Sequence, residues 1–594
     1  MASLDYDAEN RYYPSAVPSS SQLLLPRDQD DVKPVFVQPP SVRSTVASSL
    51  LSIYSTTVPP SISDIYVLPL DPAAMGSNLS LSDPENDDIL HNPDFQRDRK
   101  YDRGGTILTA RGLMNLGCLM VLVVGISMLF AGYPLITYLT RHTQTNQGGP
   151  RDPPSARTKA DRITEKQWEL VFSDEFNTEG RSFYPGDDPY WEAVDLHYWE
   201  TNNLEWYDPE AITTRNGSLE IVLSQKETHN LTYQGGMMST WNKFCFTGGL
   251  VEASVMLPGF HNIAGLWPAI WTMGNLGRAG YGASLEGMWP YTYDSCDVGA
   301  LPNQTLGGSP IAATINGDKS NGGVLSYLPG QKLSRCTCPG QSHPGPMHDD
   351  GTYVGRSAPE IDIFEAQISN NLGAVSQSGQ WGPFNAGYNW FNTSANLQIP
   401  NTTISELNSY KGGVYQQATS VVTQTDQTAY EFSGGQYSTY GIQYQPGFDG
   451  AYIAWIAGDQ VTWILQQAGM GPDTLVEIAS RPVPQEPLYL IMNLGMSKNF
   501  GFVDFDHLKF PSTLRVDYIR VYQDPDNINI GCDPPDFPTQ TYINQYMEAY
   551  TNPLLTTWRD DFKQPFPRIN CSTNVELALV AVKLTYVIYC FATQ

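Results

Sequence analysis

The sequence predicts an all-β sandwich preceded by a disordered tail and one transmembrane helix. Three observations carry that expectation. Runs such as Leu219-Glu220-Ile221-Val222-Leu223, Leu250 to Met256 and Arg515 to Tyr522 alternate or are β-branched, and Gly, Pro and Asn separate them, as in a sandwich of short strands. Residues 113–132 (LMNLGCLMVLVVGISMLFAG) carry no charge, and the apolar character continues to Leu139, enough for one bilayer-spanning helix. Residues 1–96 are rich in Ser, Pro and Asp with scattered hydrophobes, a composition that cannot bury a core.

The elements follow in order. Residues 1–111 form the tail. The apolar segment, 112–139, begins too far from Met1 to be a cleaved signal peptide, and a core helix would not be apolar on all faces over this length. Arg97, Arg99, Lys100, Arg103 and Arg111 flank its N-terminal side against Arg141 and Arg151 beyond it. Positive charge therefore places the tail in the cytosol and everything downstream in the lumen or outside the cell. Residues 140–163 have linker composition, Gly- and Pro-rich. The sandwich is expected over 164–525, with a Gly-, Pro- and Cys-rich insertion at 274–359 that either roofs a cleft or decorates the surface. A C-terminal extension covers 526–574. The apolar stretch 575–594 contains Lys583 and is short for a spanning helix, and the polar spacer before it is too short for a lipid-anchor signal. It receives no function.

Cysteines and sequons agree with that orientation. Asn216, Asn230, Asn303, Asn392, Asn401 and Asn570 are glycosylation acceptors downstream of the apolar segment, and only Asn78 precedes it. Cys245, Cys296, Cys336, Cys338, Cys532, Cys571 and Cys590 also follow it and are candidate disulfide partners; the odd number leaves one over and the connectivity open. Cys336-x-Cys338 with His343 and His348 raises zinc as an alternative, against irregular spacing. At 594 residues, 16% charged, 12% aromatic and a formal net charge of −27, the chain has apolar material for one large domain and no basic stripe. Nucleic acid is not an expected partner.

The chemistry is concentrated in Glu360-Ile361-Asp362-Ile363-Phe364-Glu365. Carboxylates are poor strand formers and are seldom buried unpaired, whereas cleavage of a glycosidic bond needs two carboxyl groups around one oxygen. Alternation puts Glu360 and Asp362 on one face and Glu365 on the other, unless a β-bulge at Ile363-Phe364 supplies an extra residue. Four strand steps span roughly 13 Å, so two long side chains leaning together would reach the separation of about 5–5.5 Å that a retaining mechanism uses. Glu360 is then the nucleophile and Glu365 the general acid/base. Asp362, between them, would raise the pKa of Glu365. A charged, solvated edge strand is the plainer alternative, and Ile361, Ile363 and Phe364 argue for a covered strand instead. Sugars stack on aromatic rings, which makes Trp206, Trp241, Trp267, Trp271 and Trp381 candidates for the cleft. Each has a core alternative, evenly balanced for Trp267 and Trp271.

The surrounding motifs supply a resemblance. Phe172-Ser173-Asp174-Glu175-Phe176, Asn202-Asn203-Leu204-Glu205-Trp206-Tyr207, Gly265-Leu266-Trp267-Pro268-Ala269-Ile270-Trp271, Leu488 to Leu494 and Val516 to Tyr522 occur in an order that resembles glycoside hydrolase family 16 over about residues 168–523. Asp294-Ser295-Cys296-Asp297-Val298-Gly299, Val375 to Trp381 and Pro538-Thr539-Gln540 resemble in particular the fungal β-1,6-glucan-synthesis-associated membrane branch. The resemblance implies a concanavalin-like jelly roll with a concave glucan-binding face. It also implies Asn202, Glu205 and Asn493 as substrate-binding residues. Asp517, with Gly217 and the chain near Glu175, matches a structural calcium position in that family; hard oxygen ligands suit calcium, and a solvated Asp517 is the alternative. No cofactor is required by the chemistry. Two departures stand out: Gly249-Leu250 replaces a common Gly-Arg pair, and Gln377-Ser378-Gly379-Gln380 lacks a common His.

These expectations describe a type II membrane protein of the endoplasmic reticulum, Golgi and plasma membrane. Its luminal domain would hydrolyse or transfer β-glucan, including β-1,6-glucan, by retaining double displacement during fungal cell-wall assembly. The alternative is a non-catalytic glucan-binding scaffold for a glucan synthase. Glucan synthase and secretory-pathway proteins are the expected protein partners.

Overall fold

A computed structural model describes residues 110–128 and 153–571, apart from 320, 321, 386, 388 and 570. The chain divides into two units, 25–136 and a larger one that contains 137–594. The tail up to 109, the first part of the linker and the 575–594 stretch lie outside the described residues.

In the first unit, Ala110–Ser127 forms an α-helix. Met114, Leu116, Leu119 to Val124 and Ile126 are all exposed along it. Among the described residues no helix is long and apolar enough to cross a membrane. The described part of the expected 112–139 span ends near Ser127, and 129–139 lie outside it.

The second unit consists of two ten-stranded sheets. One carries Gln167–Asp174, Gly249–Met256, Ser438–Gln445, Tyr452–Ala457 and Ser512–Gln523; the other carries Tyr233–Ser239, Trp267–Gly274, Glu360–Ser369, Leu372–Trp381, Gln417–Gln424 and Leu488–Gly495. Their facing sides bury Phe172, Ile221, Val251, Ile361, Ile363, Phe364, Ile442, Trp455, Leu490 and Val521 in one core. The sandwich begins earlier than its motifs suggest. Thr158–Ala160, within the expected linker, pairs with Gln167–Asp174, and Lys159 Nζ reaches Glu252 at 2.8 Å. A three-residue edge strand is too short to show a period in sequence.

The insertion is neither a simple roof nor a decoration. It and the C-terminal extension pack together on the outer face of the second sheet, where Tyr207, Met237, Trp271, Met273, Tyr489 and Ile491 meet Tyr281, Met288, Leu333, Tyr542, Tyr550 and Trp558 in a second core. Disulfides Cys245–Cys532, Cys296–Cys336 and Cys338–Cys571 staple this layer. The zinc alternative falls, because Cys336 and Cys338 are both in disulfides and no metal-holding cluster of His, Cys, Asp or Glu occurs among the described residues. Cys590 lies outside them.

Of the sequon asparagines, Asn216, Asn230, Asn392 and Asn401 are exposed and Asn303 is half-buried; Asn570 lies outside the described residues.

Candidate active site

The outer face of the second sheet, where the insertion leaves it open, forms a cleft of about 910 Å³. Cross-strand register aligns its residues in rows. Glu360 pairs with Met273, Asp362 with Trp271 and Glu365 with Ala269. On the other side Glu360 pairs with Gln380, Asp362 with Ser378 and Glu365 with Ser376. The ladder slips between Asp362 and Glu365, the bulge that the acid spacing requires. All three carboxylates line the cleft, while Ile361, Ile363 and Phe364 are fully buried on the core side.

A bulge leaves backbone groups without ladder partners, and buried carbonyls need replacements. Two residues from outside the strand supply them. Trp455 Nε1, from the facing sheet, donates to the carbonyl of Asp362 at 2.8 Å. Gln377 Nε2 donates to the carbonyl of Ile363 at 3.2 Å, and Thr462 Oγ1 holds the other end of that amide.

Each acid has its own donors. Trp267 Nε1 donates to Glu365 at 3.1 Å, and the indole lies flat on Phe500 with 4.3 Å between centroids. Ser378 Oγ and Gln380 Nε2 donate to Asp362 at 2.7 and 3.0 Å. Trp289, from the insertion, donates its indole N–H to Glu360. Gln380 thus does for Asp362 what a ring N–H could have done, whereas Gln377 serves the bulge. Burial, with the Asp362 charge adding to it, pushes Glu365 up to about 8. Burial and then Asp362 also drive Glu360 well above the ordinary carboxylate range, opposed by Trp289. Asp362 moves up by burial, against the Gln380 and Ser378 hydrogen bonds.

Other expected site residues divide. Trp271 and Asn493 line the cleft, with Trp271 Nε1 donating to Asn493 Oδ1 at 2.8 Å. Trp381 does not: it is 1% exposed in the main core and donates to Thr419, because alternation turns its neighbour Gln380 to the cleft instead. Trp241 packs under the C-terminal extension, stacked on Tyr550 and beneath the Arg278 guanidinium at 4.4 Å. Trp206 is likewise away from the cleft, bonded to Asp195 and against His229.

The Asn-Asn motif is also corrected by one position. Asn202 takes a left-handed conformation after a 3-10 turn and is exposed. Asn203 lines the cleft, donating to Glu205 Oε1 at 2.6 Å and to the Tyr207 hydroxyl at 3.0 Å. Glu205 is fully buried behind it, fixed by the Met496 amide at 2.9 Å, and burial pushes it up to about 7. It holds the Asn203 amide and does not itself line the cleft. Gly495 makes room for this knot, since a Cβ there would stand 2.3 Å from Glu205 Oε1. Asn203, Tyr207, Trp289, Gln380 and Phe500 are among the cleft residues that the motifs did not assign. Asn203 lies two residues before the strand Glu205–Tyr207 and its amide meets Glu205 and Tyr207 on one side; Trp289 sits in a loop with no period to read.

At the expected calcium position, both Glu175 oxygens are held by Arg520 at 2.7 Å, and Asp517 is exposed at the slip between Val516 and Tyr518. Gly217 closes the hairpin between Ile212–Arg215 and Ser218–Leu223 with φ +77°. Leu250, at the replaced Gly-Arg pair, is buried with Trp168, Leu170, Ile456 and Tyr522.

Comparison with known proteins agrees with the motifs. Residues 77–150 and 148–571 match the family described as "Beta-glucan synthesis-associated protein SKN1/KRE6/Sbg1". The chain is 42% identical over 512 residues to the beta-glucan synthesis-associated protein SKN1 of Candida albicans, covering 81% of this chain and 66% of that protein. It is 40% identical over 514 residues to KRE6 of Saccharomyces cerevisiae, covering 81% and 68%. The chain therefore spans about two thirds of the length of these relatives. Among solved structures, the endo-beta-1,3-glucanase of Pyrococcus furiosus aligns at 17% identity and a TM-score of 0.36, over 62% of this chain and 98% of that one. By the extent of the family match and the identity to these relatives, the chain belongs to the beta-glucan synthesis-associated SKN1/KRE6/Sbg1 family.

Proposed function

We propose that this chain cleaves or transfers β-glucan by a retaining double displacement. One observation carries the reading: the bulge returns Glu365 to the face of Glu360, inside one cleft, with Asp362 between them. In the first step Glu365 gives its proton to the glycosidic oxygen as the Glu360 carboxylate attacks the anomeric carbon. The aglycone leaves and a glycosyl ester forms on Glu360. In the second, the Glu365 carboxylate takes the proton of an incoming hydroxyl, which attacks the same carbon and releases Glu360. Water as that hydroxyl gives hydrolysis; a sugar gives transfer. The wall of insertion residues Leu285, Trp289, Leu328 and Pro329 along the cleft narrows access for water and favours transfer.

The family is described by β-glucan synthesis; the β-1,6 linkage and the fungal wall rest on the motif resemblance alone. A luminal setting is supported by three disulfides, which need an oxidising compartment. The exposed apolar faces of Ala110–Ser127 support a membrane segment, continued by the apolar sequence to Leu139. Synthase and secretory-pathway proteins are the partners this placement suggests. A structural calcium near Asp517 and Gly217 would be an addition to this reading, not a part of its chemistry.

A second reading, a glucan-binding scaffold, draws on Glu360 itself. Burial and Asp362 favour its protonated form in the free cleft, and a protonated carboxyl is a poor nucleophile. The decisive test incubates the detergent-solubilised full chain with β-1,3- and β-1,6-linked glucose oligosaccharides and weighs the products. Lengthened or branched products establish transfer, and shortened ones alone establish hydrolysis. Binding without products favours the scaffold and sinks the catalytic reading.

The acid role of Glu365 sets a pH expectation. Activity should hold while Glu365 keeps its proton and fall as pH rises through about 8. Asp362→Asn removes a charge that raises that group, so the alkaline limb of kcat/KM should move to lower pH. A limb that stays in place in the variant would remove Asp362 from this tuning role.

A further inference from the structure

The cleft holds a fourth acid that double displacement does not use. Glu200 lies in the 3-10 turn Trp199–Thr201, is 8% exposed and lines the cleft. Neither carboxylate oxygen has a hydrogen-bond partner, and only its own backbone amide counters the burial that pushes the group up to about 7. The indole Nε1 of Trp199, another cleft residue, is also buried and unpaired. Two adjacent residues of the cleft wall therefore carry one donor and two acceptors that no other residue satisfies, all three turned into the wall with almost no accessible surface. Buried polar groups in native proteins are otherwise nearly always satisfied, and an orphaned carboxyl is costly to keep.

Their place in the cleft is defined. The phenol of Tyr198, beside Trp199 in sequence, feels the charges of both Glu200 and Glu360, so this stretch of chain runs between Glu200 and the carboxylate cluster. This end of the cleft borders Leu196–His197 and Glu205–Tyr207; the opposite rim carries Glu406 to Gly412. The insertion backs it closely, since a Cβ on Gly282 would stand 2.8 Å from the Trp199 ring.

We propose that Glu200 and Trp199 form a hydroxyl-recognition subsite for a glucosyl unit with a free vicinal diol. The inference rests on the glucan-handling reading and adds a specificity determinant to it. When the two side chains turn from the wall toward the cleft, the carboxylate oxygens accept the O–H groups of neighbouring ring carbons, and the indole donates to a third sugar oxygen. A β-1,6-linked unit leaves its 2-, 3- and 4-hydroxyls free and offers such a pair. An interior β-1,3-linked unit has its 3-position substituted and offers none, although a non-reducing end still does. Sites built to bond a hydroxyl discriminate against units that lack it, because the site's polar groups are then left unpaired.

The test uses the full chain in detergent carrying Glu360→Gln, so that the probe is not consumed. Gentiohexaose, β-1,6-linked, and laminarihexaose, β-1,3-linked, are titrated into it with and without Glu200→Leu or Glu200→Gln, and each chain's Tm is measured. Glu200→Leu should weaken gentiohexaose about tenfold or more, Glu200→Gln less, and laminarihexaose should lose less in both. Tm should stay level or rise, because a buried unpaired acid has been removed. Unchanged gentiohexaose affinity overturns the proposal. So does a drop in Tm in both variants, which would reveal a structural partner for the carboxyl. Equal losses for the two probes overturn the vicinal-diol selectivity. If the parent chain binds neither probe, the glucan-handling reading fails, and this subsite with it.

Discussion

Changing Glu360 to Gln is expected to lower product formation from glucan oligosaccharides by about a thousandfold or more, with binding nearly unchanged. The amide has no lone pair basic enough to displace the aglycone at the anomeric carbon, so the first half of double displacement is lost. Little else should move. The Gln carbonyl can still accept the Trp289 indole N–H, and a neutral side chain is easier to bury than a carboxylate repelled by Asp362 and Glu365. Tm should therefore hold or rise. Glu365→Gln should fail differently: it loses the proton that the glycosidic oxygen needs, but an aryl glucoside with a good leaving group needs no such proton. With that substrate the first step should persist, followed by slow turnover of the glycosyl ester. Measuring both variants on natural and aryl substrates separates the roles. Wild-type product formation by the Glu360→Gln chain would end the case for a covalent mechanism at this residue.

The bulge was legible because the sequence contains a conflict. Three acids share a strand with Ile361, Ile363 and Phe364, and only an added residue puts all the acids on one face and the hydrophobes on the other. The same alternation sorts the neighbouring residues. Asn203 meets Glu205 and Tyr207 on one side, and Asn202 does not; Gln380 faces the cleft, and Trp381 therefore cannot. A tryptophan's affinity for sugars says nothing about which side of the sheet it occupies. Trp241 failed for another reason: Tyr550, which covers it, lies some three hundred residues along the chain, and such a contact has no local signature. Trp289 was hidden in the same way, in an insertion without period, although it bonds the proposed nucleophile. The disulfides could not be paired from spacing, and two of the three tie segments more than two hundred residues apart.

The second large effect is expected far from the carboxylates, at Arg356. Its guanidinium is fully buried and forks onto Glu486, Nε to Oε1 at 2.8 Å and Nη2 to Oε2 at 2.7 Å. Its Nη1 donates to the carbonyls of Gly345 and Pro538 at 2.8 and 2.7 Å. Glu486 also accepts the Ser357 amide at 3.0 Å. One side chain thus joins the insertion, the segment leading into Leu488–Gly495 and the C-terminal extension. Arg356→Met leaves Glu486 buried without its cation and two carbonyls without a donor, a loss of about 3–5 kcal/mol. Glu486→Gln in the same chain removes the stranded charge and should recover part of that loss, because the penalty lies more in the orphaned ion than in the missing attraction. Urea denaturation followed by tryptophan fluorescence measures both. The effect should reach the chemistry, because the insertion that Arg356 anchors also carries Trp289 and its hydrogen bond to Glu360. Under conditions where Arg356→Met is still folded, its activity should fall more than its binding of oligosaccharide. A variant as stable as the parent would mean that the disulfides alone hold the layer, and that the buried ion pair adds nothing they do not already supply.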